Sequence, residues 1–157
     1  MSKAMSEFRK QYLIALGTIT VNMNHLEQWT RVYLARLMNC DVEFILKCYP
    51  TEQYGKLLAI LDLTFHHTIS DTNTREEFSR IFDKLSSIHQ KRNTFIHSEW
   101  LFADDDSFFV RTKPLKYPRL DRESNPPISD LIQLADNIAS VIIEMHMFID
   151  KINLTKR

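Results

Sequence analysis

Glycine is nearly absent from this chain, with 2 in 157 residues. Dinucleotide-binding sheets, phosphate-cradling loops and hairpin-rich barrels need glycine at special turns, whereas helices are weakened by it. The shortage argues for an all-α or mostly α protein. Cysteine is equally scarce, and Cys40 and Cys48 are the 2 residues present. The opening segment MSKAMSEFRK is polar and charged, unlike a secretory leader, so a disulfide framework is not expected and both thiols are read as reduced in the cytoplasm. An excess of charge of one sign is missing too, because 20 Lys and Arg balance 20 Asp and Glu. No global field then draws the molecule to nucleic acid or an anionic membrane, and any such partner must be held by a local patch. Long apolar runs are also wanting. The best, Ala139 to Ile149, is interrupted by Glu144 and His146 and falls short of the ~20 residues that span a bilayer, so no membrane partner is expected.

What is present is an ordinary globular composition, 44% hydrophobic and 25% charged. Residues 1–157 are read as one domain, long enough to bury a core without metal or disulfide help. Hydrophobic periodicity predicts four helices. In the first, from about Met5 to Leu37, Phe8, Tyr12, Ala15, Ile19, Met23, Leu26, Thr30, Tyr33 and Leu37 follow the steps of one amphipathic face. NCDVEFILKCYP reads as a turn punctuated by Pro50. A second helix starting near Thr51 as N-cap carries Tyr54, Leu57, Leu58, Leu61 and Phe65 inward. Asp71 to Thr74 offer caps for a third, with Phe78, Ile81, Leu85, Ile88 and Phe95 on its stripe. WLFA and SFFVRTK flank the acidic turn Asp104-Asp105-Asp106 and predict a β-hairpin arm, followed by an irregular stretch rich in proline. Ser129 or Asp130 is predicted to cap a last helix bearing Leu131, Ala135, Ile138, Ile142, Met145 and Ile149. The expected architecture is an all-α antiparallel four-helix bundle with the hairpin between its third and fourth helices.

The stretch QKRNTFIHSEW is where this pattern is broken. With Ile88 at zero, Ile81 falls at about 20°, Leu85 at about 60°, Phe95 at about −20° and Arg92 at about 40°. Arg92 thus sits in the middle of an apolar arc, where a guanidinium is costly unless acceptors surround it. One reading is a structural ion pair, with Glu27 on the flank of the first helix as its partner. His97 shares a helical face with Asn93 but lies about 140° from Arg92 if the helix continues. Arg92 and His97 converge on one atom only if the helix ends near Ile96 or if a second copy supplies the other half across a two-fold axis.

Arg92-Asn93-Thr94-Phe95-Ile96-His97 resembles the Arg-x4-6-His signature of the HEPN superfamily, including the polar residue directly after the arginine. Its place near the end of a penultimate bundle helix matches as well. After His97 this chain reads Ser98-Glu99-Trp100, where toxin members of the family often carry x-Tyr. The resemblance implies metal-independent RNA cleavage in a homodimer of toxin or defence type, with no cofactor and an antitoxin or other regulatory protein as a possible partner. In that role His97 would be the acid/base and Arg92 would stabilise charge on the phosphorane, while Asn93 orients the phosphate or the imidazole. Histidine titrates near neutral pH, and a guanidinium fork binds phosphoryl oxygens bidentately, so the residue types suit the reaction. The alternative is a non-catalytic binding or regulatory module for a nucleotide, RNA or partner protein, with Arg92 as a structural residue. Glu99 near His97 would suit that module by holding the imidazole as a cation.

Arg111, Lys113, Lys116 and Arg119, interleaved with Phe108, Phe109 and Tyr117, are candidates to follow an RNA backbone and stack a base. The same charges also suit a solvated loop. His66-His67 with Cys48 fits no zinc spacing and suits a helix C-terminus better. His146 is read as a core histidine, and Met23 and Met145 as core filler.

Overall fold

The computed structural model describes residues 7–50, 53–96, 99–102, 108–111, 123–124 and 126–155. Helix α1 spans Glu7–Met38 and buries Tyr12, Ala15, Ile19, Met23, Leu26, Thr30, Tyr33 and Leu37 as the periodicity predicts, while Phe8 at its start is exposed. Asn39 ends it with φ 52, a left-handed conformation that asparagine tolerates better than most residues. The Cys40 N–H donates to the Ala35 carbonyl at 3.0 Å and the Asn39 N–H to Arg36 at 3.3 Å, the paired bonds that close a helix C-terminus.

The segment expected to be a turn is instead a short helix, α2, Val42–Cys48. Its Ile45 is fully buried in the core, and Val42 packs against that core, partly buried. Helix α3 spans Tyr54–Thr68, with Tyr54, Leu57, Leu58, Leu61 and Phe65 buried. The proposed cap Thr51 lies outside the described residues, and Gln53 takes the capping position without a side-chain bond.

Helix α4, Thr72–Ile96, begins on Asp71. The Asp71 carboxylate accepts from the Thr74 N–H at 2.8 Å and from its hydroxyl at 2.6 Å. Those two bonds hold the Asp71 carboxyl below its ordinary range. A depressed carboxyl stabilises the fold above its unfolded pKa, and that support is lost as pH falls through the folded value. Acid titration of thermal unfolding, followed by circular dichroism, is therefore expected to be shallower for Asp71→Ala than for the native chain. Arg75, one turn on, reaches back to cap α3, with Nε donating to the Ile69 carbonyl at 2.6 Å and Nη2 to His66 at 2.7 Å. Helix α5 spans Ile128–Thr155, so Ser129 and Asp130 lie inside its first turn rather than capping it. Leu131, Ala135, Ile138, Met145 and Ile149 are buried as expected, Ile142 partly so, and Leu134, Val141, Phe148 and Ile152 join them.

The antiparallel four-helix arrangement is corrected. Contacts between α1 and α5 climb together along both helices: the Tyr12 hydroxyl donates to the Pro126 carbonyl, Asn22 to Ala135, Tyr33 to Ile142, and Arg36 pairs with Asp150. These helices are parallel. Helix α4 runs against α5, since Glu77 pairs with Lys151 and Lys84 with Glu144, and against α3, since Tyr54 meets His89 and Phe65 meets Phe78. Three long helices thus point one way and one the other. The cause is α2, which folds back along α1 and supplies the return stroke that the sequence reading assigned to α3.

The arm between α4 and α5 is corrected too. The chain does not form a lone two-stranded hairpin there. Three short strands, β1 Glu99–Phe102, β2 Phe108–Arg111 and β3 Glu123–Ser124, make an antiparallel sheet in the order β1-β2-β3. The third strand comes from the proline-rich stretch read as irregular, and the acidic turn Asp104–Asp106 lies outside the described residues.

One described helix, over Ile128–Ile152, is long and apolar enough by length and composition to cross a membrane, contrary to the expectation that no segment would be. Its inward face supplies Leu131, Leu134, Ile138, Val141, Met145, Phe148 and Ile149 to the bundle core. At the centre of that core the Phe65 and Phe78 rings stack at 3.8 Å between centroids, with Phe148 at 5.7 Å from Phe65 and 6.1 Å from Phe78.

Candidate functional site

The last turns of α4 carry the residues singled out by the sequence. Ile81, Leu85 and Ile88 are buried, but Arg92 and Phe95, on the same stripe, are only half-buried. The arc is therefore only partly covered where it reaches the arginine, although Phe95 still packs against the core. Arg92 Nη1 donates to Asn93 Oδ1 at 3.1 Å. Because a guanidinium only donates, this contact fixes the orientation of the Asn93 carboxamide, with its oxygen toward Arg92 and its nitrogen away. Asn93 Nδ2 faces His89 Nε2 at 3.2 Å. With the carboxamide in that orientation its nitrogen donates and His89 Nε2 accepts, which assigns the ring proton to Nδ1 by hydrogen-bond logic. A line of polar groups, Arg92–Asn93–His89, therefore runs from the half-buried end of α4 toward α3.

Helix α3 shapes the far end of that line. The Tyr54 ring meets His89 edge-on at 5.5 Å. Gly55 lies beside it, and a Cβ there would stand 3.0 Å from His89 Nε2. This explains one of the chain's 2 glycines. It leaves room for the imidazole against the helix backbone. Gly17, by contrast, has nothing within 4 Å of a built Cβ. Gly17→Ala is expected to raise stability by about 0.5–1 kcal/mol through helix propensity alone, measured by urea unfolding. Gly55→Ala should forfeit that gain and displace the His89 and Asn93 side-chain resonances in NMR spectra, because the ring must yield.

Behind Tyr54 lies α1. The Tyr54 hydroxyl is buried beside Thr30, whose own proton goes to the Leu26 carbonyl at 2.7 Å, and it completes no hydrogen bond among the described residues. Burial pushes its pKa up; the neighbouring Thr30 hydroxyl opposes the shift and the charge of Glu27 adds to it. Glu27 thus stands near Tyr54. Among the described residues no ion pair joins it to Arg92, the partner the sequence reading offered. The Glu27 main-chain carbonyl instead accepts from Arg31 Nη1 at 3.2 Å. Arg31 is itself buried, at 5% exposure, and its Nε has no hydrogen-bond partner among the described residues.

His97, Lys113, Lys116 and Arg119 lie outside the described residues. Arg111 is in β2, where the register sets it opposite Glu99 on one side and Glu123 on the other.

The remaining histidines do other things. His66 Nδ1 lies 3.0 Å from the Asp62 carbonyl and 3.2 Å from its carboxylate, one turn back on α3, and its main-chain carbonyl accepts from Arg75. His67 and Cys48 are exposed. His146 is half-buried, edge-on to Trp29 at 4.0 Å and to Tyr33 at 5.6 Å, so it belongs to the α1–α5 seam. Among the described residues no three His, Cys, Asp or Glu side chains gather closely enough to hold a metal ion.

Sequence reasoning missed His89 and Gly55. Their signals were present but faint: His89 is one turn before Asn93 on the same face, and Gly55 stands in the first turn of a helix, where a glycine costs stability. Comparison of the chain with known protein families, with characterised proteins and with solved structures finds no match to any of them.

Proposed function

We propose that this protein is a metal-independent endoribonuclease of the HEPN type, acting as a homodimer in the cytoplasm, where Cys40 and Cys48 stay reduced. The observation that supports the reading most is the setting of Arg92. Its guanidinium is half-buried at the end of α4, oriented by a neutral carboxamide rather than by the Glu27 carboxylate. Such a group holds its positive charge in a fixed direction, which is what stabilisation of a phosphorane requires. His97 would take the proton from a ribose 2′-OH or deliver one to the leaving 5′ oxygen, leaving a 2′,3′-cyclic phosphate. The reading rests on the six-residue signature, since the helix directions depart from the simple antiparallel layout.

The test is cleavage of single-stranded RNA in EDTA by the purified protein, with His97→Ala and Arg92→Ala as controls. Cleavage that persists in His97→Ala and disappears with chelator would overturn the mechanism. One observation favours a second reading, a non-catalytic module: Asn93 already joins Arg92 to His89 in a line of polar contacts of the kind that merely holds a helix end in place. A protein that binds RNA or a nucleotide in EDTA without cutting it would select that reading.

A further inference from the structure

We infer that His89 is a positioning residue of this site, holding Asn93 so that Arg92 is aimed. The inference rests on the ribonuclease reading above and adds a group outside its signature.

The argument is one of hydrogen-bond direction. Asn93 offers one acceptor atom and one donor atom along the line described. The acceptor goes to Arg92 at 3.1 Å and the donor to His89 at 3.2 Å. Arg92 alone already favours the carboxamide oxygen, but one 3.1 Å contact leaves the side chain free to swing, and His89 adds a second fixed point at the other end of the amide. With a neutral imidazole accepting at Nε2, the rotated amide would set its oxygen against a lone pair. His89 thus reinforces the amide orientation that Arg92 favours and holds the accepting oxygen in place between two contacts.

The ring itself has little freedom. Tyr54 packs edge-on against it at 5.5 Å, and the ring occupies space that a side chain at Gly55 would contest, since a Cβ there would stand 3.0 Å from Nε2. Both constraints come from α3, so the aim of Arg92 on α4 is referred to a second helix rather than to α4 alone. A group that supports a reacting side chain from a neighbouring element is commonly worth more to the rate than to binding, because small misplacement of a charge costs most in the transition state.

The experiment compares the native protein with Arg92→Ala, His89→Ala, His89→Gln and Gly55→Ala, using a short single-stranded RNA in EDTA. Glutamine places Oε1 about where Nε2 lies and can accept from Asn93. The expected result is a kcat about tenfold to a hundredfold lower for His89→Ala with KM unchanged, most of it restored in His89→Gln, and a similar loss in Gly55→Ala. Long-range 15N spectra of the native protein should show the His89 proton on Nδ1. No cleavage by the native protein overturns both the inference and the reading beneath it. Native cleavage that Arg92→Ala abolishes and His89→Ala leaves untouched overturns the inference alone, as does a proton on Nε2. A loss in His89→Ala that glutamine does not restore also overturns it, since packing and not the accepting nitrogen would then be at work. Should the alanine variant fail to fold, His89→Gln and Gly55→Ala decide: retained activity in the first with loss in the second supports the inference, and any other pairing overturns it.

Discussion

Arg92→Ala is expected to reduce RNA cleavage in EDTA by about a hundredfold to a thousandfold, the usual loss when a preorganised donor to a developing oxyanion is removed. His97→Ala is expected to lose about a hundredfold to ten-thousandfold, the range for general acid–base catalysis. The two differ in kind as well as size. Arg92→Lys keeps the charge but not the planar fork that Asn93 and a phosphoryl oxygen can share, so it should recover little. Neither alanine variant should unfold the protein. Arg92 is half-buried at a helix end, away from the stacked rings of the core. Initial rates with a single-stranded RNA, alongside a thermal midpoint for each variant, check both statements. Unfolding of Arg92→Ala without a separate effect on rate would return this residue to a structural role.

The largest effect on stability is expected from Phe78→Ala. The side chain is fully buried, stacked on Phe65 at 3.8 Å with an interplanar angle of 11°, and in contact with Phe82 and Phe148. Truncation removes the buried ring, leaves a cavity and breaks the aromatic pairing that joins α3, α4 and α5. A loss of about 3–5 kcal/mol is typical of such sites. Chemical denaturation should show the midpoint fall with little change in slope. By contrast, breaking the exposed pair Lys84–Glu144, although its atoms are 2.8 Å apart, should cost no more than about 1 kcal/mol. A Phe78→Ala loss no larger than the ion-pair loss would mean the rings are not the centre of the fold.

Periodicity made the long helices legible, because burial of an amphipathic face repeats every turn and leaves many residues to agree. The stripes of α1 and α4 needed no tertiary information. Helix α2 was not legible, since seven residues with one buried isoleucine are too short for a period to emerge. Helix direction was not legible either. A stripe says which face is buried, and the same stripe serves a helix running up or down, so the return made by α2 reversed α3 and every helix after it. In the site, Arg92 and Asn93 could be found because a charge on an apolar arc is conspicuous. His89 could not, because its importance comes from an atom on Asn93 and a missing side chain on Gly55, and both are facts of placement. Glu27 was assigned to the wrong neighbour for the same reason: opposite charge suggests a pair, but only packing decides which group is close.

The shared direction of α1 and α5 governs where the polypeptide could be reopened. Glu7 and Thr155 face opposite poles, and α1 alone, with its 32 residues, covers roughly 48 Å at 1.5 Å per residue. Splicing those positions into a circularly permuted version would therefore require a tether of about fifteen extended residues, laid along the outside of the molecule. A reporter pair attached at the same two positions would give weak energy transfer in the native fold and respond sharply if the poles came together.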